Sequence, residues 1–326
     1  MMRLQVPTLL FAFALTAGLN AHAQLEGPVP TQALVNVDAK SKPPASAAAV
    51  TVEVNGRKEP LTAWTPVLPA GAQVVLLIDD GLRESVGREL SNLQQFVRTL
   101  APGIEVMVGY MQYGTVQTAQ SFTTDHEYAA TRVHLPDGIV DMSASPYICL
   151  SDFVKNWPNS AGGSSSASAS SSSASGGSAS SLHKARFMLL LTNGVDPYNG
   201  STSVMNQGSP YVDAAVEDAQ RAGVVVSAIY FTDAGMFGGM TDNSGQDYLN
   251  QIAEETGGIN YWQGIGNPVS TAPFLAMFQH AIAETYIASF IAPTGRDPER
   301  DLVHVKFTAA RTRLHATEKV LPGNRE

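Results

Sequence analysis

The chain alternates short, continuous apolar runs with longer segments in which apolar residues recur at helical spacing. Apolar runs cover residues 74–78 and 187–191, and residues 224–231 are apolar except for Ser227; such runs are typical of strands buried on both faces of a parallel sheet. Residues 84–100 place apolar side chains three and four positions apart, which predicts a helix. Strands and helices that alternate in this way favour a layered α/β fold.

The remaining elements follow from the same patterns. Further strands are predicted at residues 50–54, 104–113, 116–122, 261–262, 302–308 and 314–317, and further helices at residues 125–133, 148–157, 210–222, 248–256 and 272–291. We therefore predict a doubly wound, mostly parallel sheet flanked by helices, with small flanking β-strands from both termini. Such sheets bind ligands at the carboxyl ends of their strands, which points to the loops after Ile78, Leu191 and Phe231.

Composition divides the chain into five parts. Residues 1–23 are predicted to be a cleaved signal peptide, because Arg3 precedes an apolar run and Ala21-His22-Ala23 offers the small residues that a signal peptidase requires. We expect a flexible lead at residues 24–49, an N-terminal β segment at 50–72, the α/β domain at 73–292 and a C-terminal β segment at 293–326. Residues 160–181 are almost entirely Ser, Ala and Gly, which predicts a flexible insert within the domain.

The signal predicts export, so we expect the mature chain to be secreted or periplasmic. Without residues 1–23, the chain keeps 19 basic and 29 acidic residues, a net charge of −10. An acidic chain repels phosphate backbones, so we expect no nucleic-acid partner. Gln279, His280 and Glu284 interrupt the apolar helix at residues 272–291, and we therefore expect a core helix and no stable membrane span after signal cleavage.

Three segments resemble the motifs of one known family. They read LLIDDGLRES at residues 76–85, LLLTNGVD at 189–196 and LNQIAEETGG at 249–258. In this order they are similar to a von Willebrand factor A (vWA) domain, whose usual helix end AxxTGG is close to residues 253–258. The resemblance covers residues 74–291, and the flanks resemble the VWFA-related group of exported bacterial proteins. It implies a doubly wound sheet and a role in gripping a protein partner.

The resemblance also implies a metal site, because typical family members hold Mg²⁺ or Ca²⁺ through three loops. The first loop reads Asp-x-Ser-x-Ser, the second supplies a Thr, and the third supplies an Asp. Here Asp79 matches the first Asp, but Gly81 and Arg83 replace the two serines. Asn193 replaces the third-loop Asp, and Ile148 falls at the Thr if residues 150–152 match the second loop. A hard cation needs several oxygens, so the resemblance predicts a degenerate site.

Two outcomes stay open for the acidic residues at this edge. Arg83 could neutralise Asp79 or Asp80 in a salt bridge, which is the interpretation we prefer. Alternatively, Asp79, Asp80 and Asp196 could form a rebuilt site for Mg²⁺ or Ca²⁺. We expect no other cofactor.

Motifs for catalysis are missing from the sequence. It contains no G-x-G-x-x-G after the first strand, no G-x-x-x-x-G-K-[ST], no G-x-S-x-G and no H-E-x-x-H. A phosphate-accepting receiver domain would need an Asp at the end of the central strand, where residues 110–113 read YMQY. Residues 242–247 are interpreted as a turn and helix cap, and Cys149, the single cysteine, as a core residue. We expect no enzymatic activity.

The sequence therefore predicts an exported domain that binds a protein or a cell-surface partner, without the usual metal. Flexible Met and Phe side chains suit adaptable protein contacts. The residues expected in partner-binding loops are Gly81, Arg83, Ser85, Thr192, Asn193, Met236, Phe237 and Met240. The alternatives are a structural or assembly component of the cell envelope, and metal-dependent adhesion through the rebuilt site.

Overall fold

The computed structural model describes residues 27–38, 40–41, 43–44, 46–82, 86–136, 145–158, 184–197, 208–231, 241–263, 267–294 and 301–324. The signal peptide and the insert predicted from the sequence lie outside these residues. The strands are β1 (Val29–Val37), β2 (Val50–Val54), β3 (Arg57–Glu59), β4 (Ala63–Pro66), β5 (Ala72–Asp79), β6 (Glu105–Gln112), β7 (Thr115–Thr123), β8 (Ala185–Thr192), β9 (Val224–Tyr230), β10 (Asn260–Tyr261), β11 (Thr285–Ala292), β12 (Val303–Ala309), β13 (Leu314–Ala316) and β14 (Lys319–Val320). The helices are α1 (Leu90–Thr99), α2 (His126–Thr131), α3 (Pro146–Lys155), α4 (Pro210–Arg221), α5 (Thr241–Thr256) and α6 (Ala272–Ala283).

A six-stranded sheet forms the centre of the fold, in the order β10-β9-β8-β5-β6-β7. Its pairs are parallel except that of β6 with β7, the antiparallel edge strand. Helices α1, α2 and α6 pack on one face, and α3, α4 and α5 pack on the other. This is the doubly wound order in which the chain starts in the middle and winds outward both ways. The predicted fold class is confirmed.

Two smaller sheets form a β-sandwich beside the central sheet. Their orders are β13-β1-β11-β4 and β14-β12-β2-β3, and a separate apolar core lies between them. The turn Asn55-Gly56 joins β2 to β3, with positive φ angles of 49° and 77°. The sequence predicted small flanking β-strands from both termini, and the structure shows that these strands meet in one sandwich.

The prediction of a flexible lead at residues 24–49 is wrong. Strand β1 pairs with β11 from Val29↔Ala292 to Asn36↔Thr285. The strand is hard to recognise from the sequence because both of its faces are buried near its C-terminal end. Val35 packs in the core of the sandwich, and Val37 is buried as well. Leu34 packs into the main core on the opposite face of the strand. The alternation of apolar and polar residues that marks a half-exposed strand is therefore missing.

The helix predicted at residues 272–291 is also wrong in its second half. Helix α6 ends at Ala283, and the chain then enters β11 after Glu284 alone. Residues of β11 such as Tyr286, Ile287 and Phe290 are β-branched or aromatic and favour a strand. The segment pairs with β1 and β4 and so belongs to the sandwich. Among the described residues, no helix has the length and apolar character needed to cross a membrane.

Two helix starts also differ from the prediction. Helix α1 begins at Leu90, six residues after the expected start at residue 84. Helix α5 begins at Thr241, so residues 242–247 lie within a helix and do not form the predicted turn and cap. Gly245 lies within this helix, where the helix approaches the loop after β8 too closely for a side chain. A Cβ on Gly245 would lie 2.1 Å from the carbonyl oxygen of Asn193.

The end of α5 explains why residues 253–258 read AEETGG. The hydroxyl of Thr256 donates to the carbonyl of Ile252 at 2.6 Å and accepts from the amide of Val226 at 3.1 Å. Gly257 has a φ of 83°, a conformation that favours glycine. A Cβ on Gly258 would lie 2.0 Å from the carbonyl oxygen of Val226. The motif therefore holds the helix end against strand β9.

Side chains tie together the two chain segments that flank residues 159–183. The indole Nε1 of Trp157 donates to Gln73 at 2.9 Å, and Gln73 donates to Glu105 at 2.9 Å. Lys184 forms an ion pair with Glu105 at 2.7 Å, and the Arg186 guanidinium lies 5.3 Å from the centre of the Trp157 ring. The domain thus holds both ends of the intervening segment in place.

We expect residues 159–183 to be dispensable for folding. Replacing these 25 residues with a six-residue Gly-Ser linker shortens the loop fourfold. Loop-closure entropy changes by about 0.6 kcal/mol for each doubling of length, so the free energy of unfolding should rise by about 1 kcal/mol. Urea unfolding followed by circular dichroism measures this. A loss of more than about 1 kcal/mol would show that the segment stabilises the domain.

Candidate functional site

The carboxyl edge of the central sheet brings together the ends of β5 and β8, which are paired neighbours. Asp79 ends β5 and is 3% exposed, and Thr192 ends β8 and is fully buried. The Thr192 hydroxyl donates to Oδ2 of Asp79 at 2.6 Å, while the amide of Gly81 donates to Oδ1 at 3.0 Å. Both oxygens of this carboxylate therefore accept hydrogen bonds from the protein, and Asp79 joins the first loop to the neighbouring strand.

Asp80 is directed toward the other neighbour of β5. It begins a 3-10 turn and is 4% exposed. Its Oδ2 accepts a hydrogen bond at 2.8 Å from the side-chain amide of Gln112, which ends β6. The two consecutive acids therefore contact different strands, Asp79 on one side of β5 and Asp80 on the other.

The loop after β8 is held by hydrogen bonds within itself. The Thr192 hydroxyl accepts from the amide of Gly194 at 3.1 Å, and the side-chain oxygen of Asn193 accepts from the amide of Val195 at 3.0 Å. Gly194 has a φ of 69°, and its carbonyl accepts from the Tyr147 hydroxyl at 2.8 Å. A side chain at Gly194 would also meet Leu249 of α5. These contacts fix the loop above helix α3 and against α5.

Asp196 anchors the start of helix α4. Its carboxylate accepts a hydrogen bond from the Ser209 hydroxyl, and that hydroxyl accepts from the amide of Tyr211 at 3.2 Å as the N-cap of the helix. Asp196 is 5% exposed. Within the part of the chain that the structure describes, no group of three or more His, Cys, Asp or Glu residues could hold a metal ion. Asp79, Asp80 and Asp196 accept hydrogen bonds from three different places, namely the end of β8, the end of β6 and the start of α4.

No protein-family model matches the sequence. No curated protein matches it either. Solved structures do align with the fold. Von Willebrand factor type A from Catenulispora acidiphila is 11% identical over 91% of this chain and 75% of that one, with a TM-score of 0.39. The ArnB paralog VWA2 from Sulfolobus acidocaldarius is 9% identical over 91% and 79%, with a TM-score of 0.37.

An aerotolerance-related membrane protein from Bacteroides fragilis is 12% identical over 65% of this chain and 98% of that one, with a TM-score of 0.40. The strand order of the central sheet and the loops at its carboxyl edge agree with the resemblance drawn from the sequence. The central sheet is therefore of the doubly wound class that the resemblance to a vWA domain implies.

The described residues do not fit the metal that vWA domains typically hold. Gly81 stands at the first serine position and contributes a backbone amide, which is a donor and not a ligand oxygen. Asn193 stands at the third-loop Asp, and its amide oxygen already accepts from Val195. Ile148, in the segment compared with the second loop, has an apolar side chain. Mg²⁺ and Ca²⁺ need several oxygen ligands, which these side chains do not supply together.

The structure separates the residues predicted to contact a partner. Gly81 and Asn193 are partly exposed at the edge of the vWA-like sheet. Thr192 is fully buried and donates a hydrogen bond to Asp79. Its side chain is therefore not accessible to a partner, contrary to the prediction. The remaining predicted contacts, Arg83, Ser85, Met236, Phe237 and Met240, lie outside the described residues, so the salt bridge of Arg83 stays a prediction.

Sequence reasoning missed Gln112 and Tyr147 as parts of this edge. Tyr147 is fully buried, and burial raises the pKa of its phenol well above the ordinary value, as do the nearby Asp196, Tyr248 and Asp79. The only signal in the sequence was a phenolic hydroxyl in an otherwise apolar stretch, which needs a hydrogen-bond partner when it is buried. Cys149 is buried as predicted, and burial raises the pKa of its thiol to about 12.

Proposed function

We propose that this chain is an exported protein-interaction module that binds a protein or cell-surface partner through the loops at the carboxyl edge of its vWA-like sheet, without an obligatory metal. The observation that carries the proposal is the Asp79 carboxylate, whose two oxygens accept from Thr192 and Gly81. The described starts of the first and third loops are thus held by hydrogen bonds within the protein. Export is inferred from the apolar, signal-like first residues.

The position of the site supports binding at this edge. Ligands of doubly wound sheets bind outside the carboxyl ends of the strands, where Gly81 and Asn193 are partly exposed. A standard interface covers about 800 Å² on each partner, an area that several loops along one sheet edge can provide.

The ionisable groups nearby favour binding over catalysis. A thiol must lose its proton to act as a nucleophile, and the pKa of about 12 keeps Cys149 protonated at neutral pH. The raised pKa of Tyr147 likewise keeps its phenol neutral, where it serves as a donor to Gly194. Both groups stabilise the fold beneath the loops, and neither is poised to react.

Partner capture tests the proposal. The purified chain should retain a partner from the native envelope equally well in EDTA and in MgCl₂. Replacing Met236, Phe237 and Met240 together with alanine should weaken capture about tenfold, because a few residues carry most of the binding energy of an interface. Lys306→Ala, on the exposed face of β12, is the matched control and should have no effect. Loss of capture in the control alone would support assembly through the β-sandwich instead.

A further inference from the structure

Large apolar side chains that remain exposed are concentrated at one edge of the molecule. The described residues contain eight such side chains, and five of them lie at the carboxyl edge of the central sheet: Tyr113, Leu135, Tyr211, Trp262 and Val269. We call these five residues the apolar rim. Single exposed apolar residues are ordinary, whereas a group of them at one edge indicates an interaction surface.

Two members of the apolar rim mark opposite ends of the sheet. Tyr113 is 59% exposed in the turn after β6, and Trp262 is 49% exposed directly after β10. Four strand-to-strand steps separate β10 from β6 in the sheet order. At about 4.8 Å for each step, the two positions lie on the order of 20 Å apart.

The other three members lie at or near the ends of helices α2, α4 and α6. Tyr211 is in the first turn of α4, where Ser209 binds Asp196. Leu135 follows His134, whose amide donates to the Tyr110 hydroxyl near the end of β6. Val269 is 95% exposed and lies two residues before Thr271, which donates to Glu89 beside the start of α1. The apolar rim therefore surrounds the edge on both faces of the sheet.

Exposed charge near the rim indicates the kind of partner. Asp213 and Asp247 are exposed near the starts of α4 and α5, and the whole chain carries a net charge of −9. Burial opposes ionisation of Glu89, but hydrogen bonds from Thr271 and Asn92 and the nearby Arg88 together outweigh it and lower the pKa of this carboxyl. Complementary charge speeds association and suppresses wrong partners, so this edge fits a basic surface.

We propose that the apolar rim is the contact surface for a folded protein with a basic surface, and that Tyr113, Tyr211 and Trp262 are its anchors. This inference rests on the proposed function and specifies the partner of the same site. Tyrosine and tryptophan bury a large area at low entropic cost and are enriched among the residues that dominate binding energy. A span on the order of 20 Å suits a folded surface better than a small molecule.

Site-specific photo-crosslinking in the source cells tests this proposal. The full chain is made with p-benzoylphenylalanine in place of Tyr113, Tyr211 or Trp262, one position at a time. Tyr128 and Met277 are 54% and 51% exposed away from this edge and serve as matched controls. We expect all three rim positions to crosslink one and the same polypeptide with a net positive charge, and the control positions to leave it uncrosslinked.

Each of the other outcomes would overturn a specific part of the proposal. An acidic partner at the rim positions would refute the basic surface and leave the proposed function standing. Crosslinks from the controls alone, or to a second copy of the chain, would refute the apolar rim as the contact surface. No crosslink at any position would contradict the proposed function as well. As a second readout, Trp262→Ala should weaken capture of the crosslinked partner about tenfold, and Met277→Ala should leave it unchanged.

Discussion

Replacing Gly258 with alanine should destabilise the protein by about 4 kcal/mol or prevent its folding, which places it among the most damaging single substitutions. The new Cβ would lie 2.0 Å from the carbonyl oxygen and 2.6 Å from the carbonyl carbon of Val226. Val226 belongs to β9, which is held between β8 and β10 and cannot move aside. Urea unfolding followed by circular dichroism measures the loss.

Gly71→Ala is the matched control for this substitution. A Cβ on Gly71 meets no atom within 4 Å, and its φ lies outside the positive range. We expect a change in the free energy of unfolding of less than about 1 kcal/mol, because removing a glycine chiefly restricts the unfolded chain. Equal stabilities for the two variants would refute the close approach of α5 to β9.

The second large effect concerns Asp79, whose carboxylate accepts hydrogen bonds from Thr192 and Gly81. Asp79→Asn should lower the free energy of unfolding by about 2–3 kcal/mol, because a buried hydroxyl and a backbone amide lose a charged acceptor. Thr192→Val should cost a similar amount, and the double variant should cost less than the sum by about 1–2 kcal/mol. The losses should be equal in EDTA and in MgCl₂.

Asp125→Asn provides the control for removing a carboxylate charge. Asp125 caps the start of α2 at an exposed position, where Asn caps equally well, so the expected change is below about 0.5 kcal/mol. Strict additivity of Asp79→Asn and Thr192→Val would contradict the hydrogen bond between them. Losses for Asp79→Asn that appear only with Mg²⁺ present would indicate a ligand role.

The central sheet could be predicted because its signals are local. Strand β5 is buried along its whole length, so its apolar run is continuous, and the turns at Asn55-Gly56 and Tyr113-Gly114 place two adjacent residues at positive φ. Strand β1 could not be predicted in the same way. Its partner β11 lies more than 200 residues away, and its two faces meet different cores.

The site was predictable in its position but not in its contacts. The motifs located Asp79 and the loop at residues 192–194, because fold and sequence agree on where the strands end. The sequence could not show that the Thr192 hydroxyl donates to Asp79, nor that Tyr147 supports the loop from α3. The apolar rim was missed because the exposure of a tyrosine or tryptophan depends on neighbours that come from distant parts of the chain.

Isothermal titration calorimetry with Mg²⁺ and Ca²⁺ tests the central claim most directly, namely that Asp79 serves the fold and that partner binding needs no metal. The wild-type chain and Asp79→Ala are titrated side by side, with circular dichroism to verify that both are folded. We predict no saturable heat for either cation with either protein. Saturable micromolar binding to the wild type that disappears in Asp79→Ala would contradict the claim.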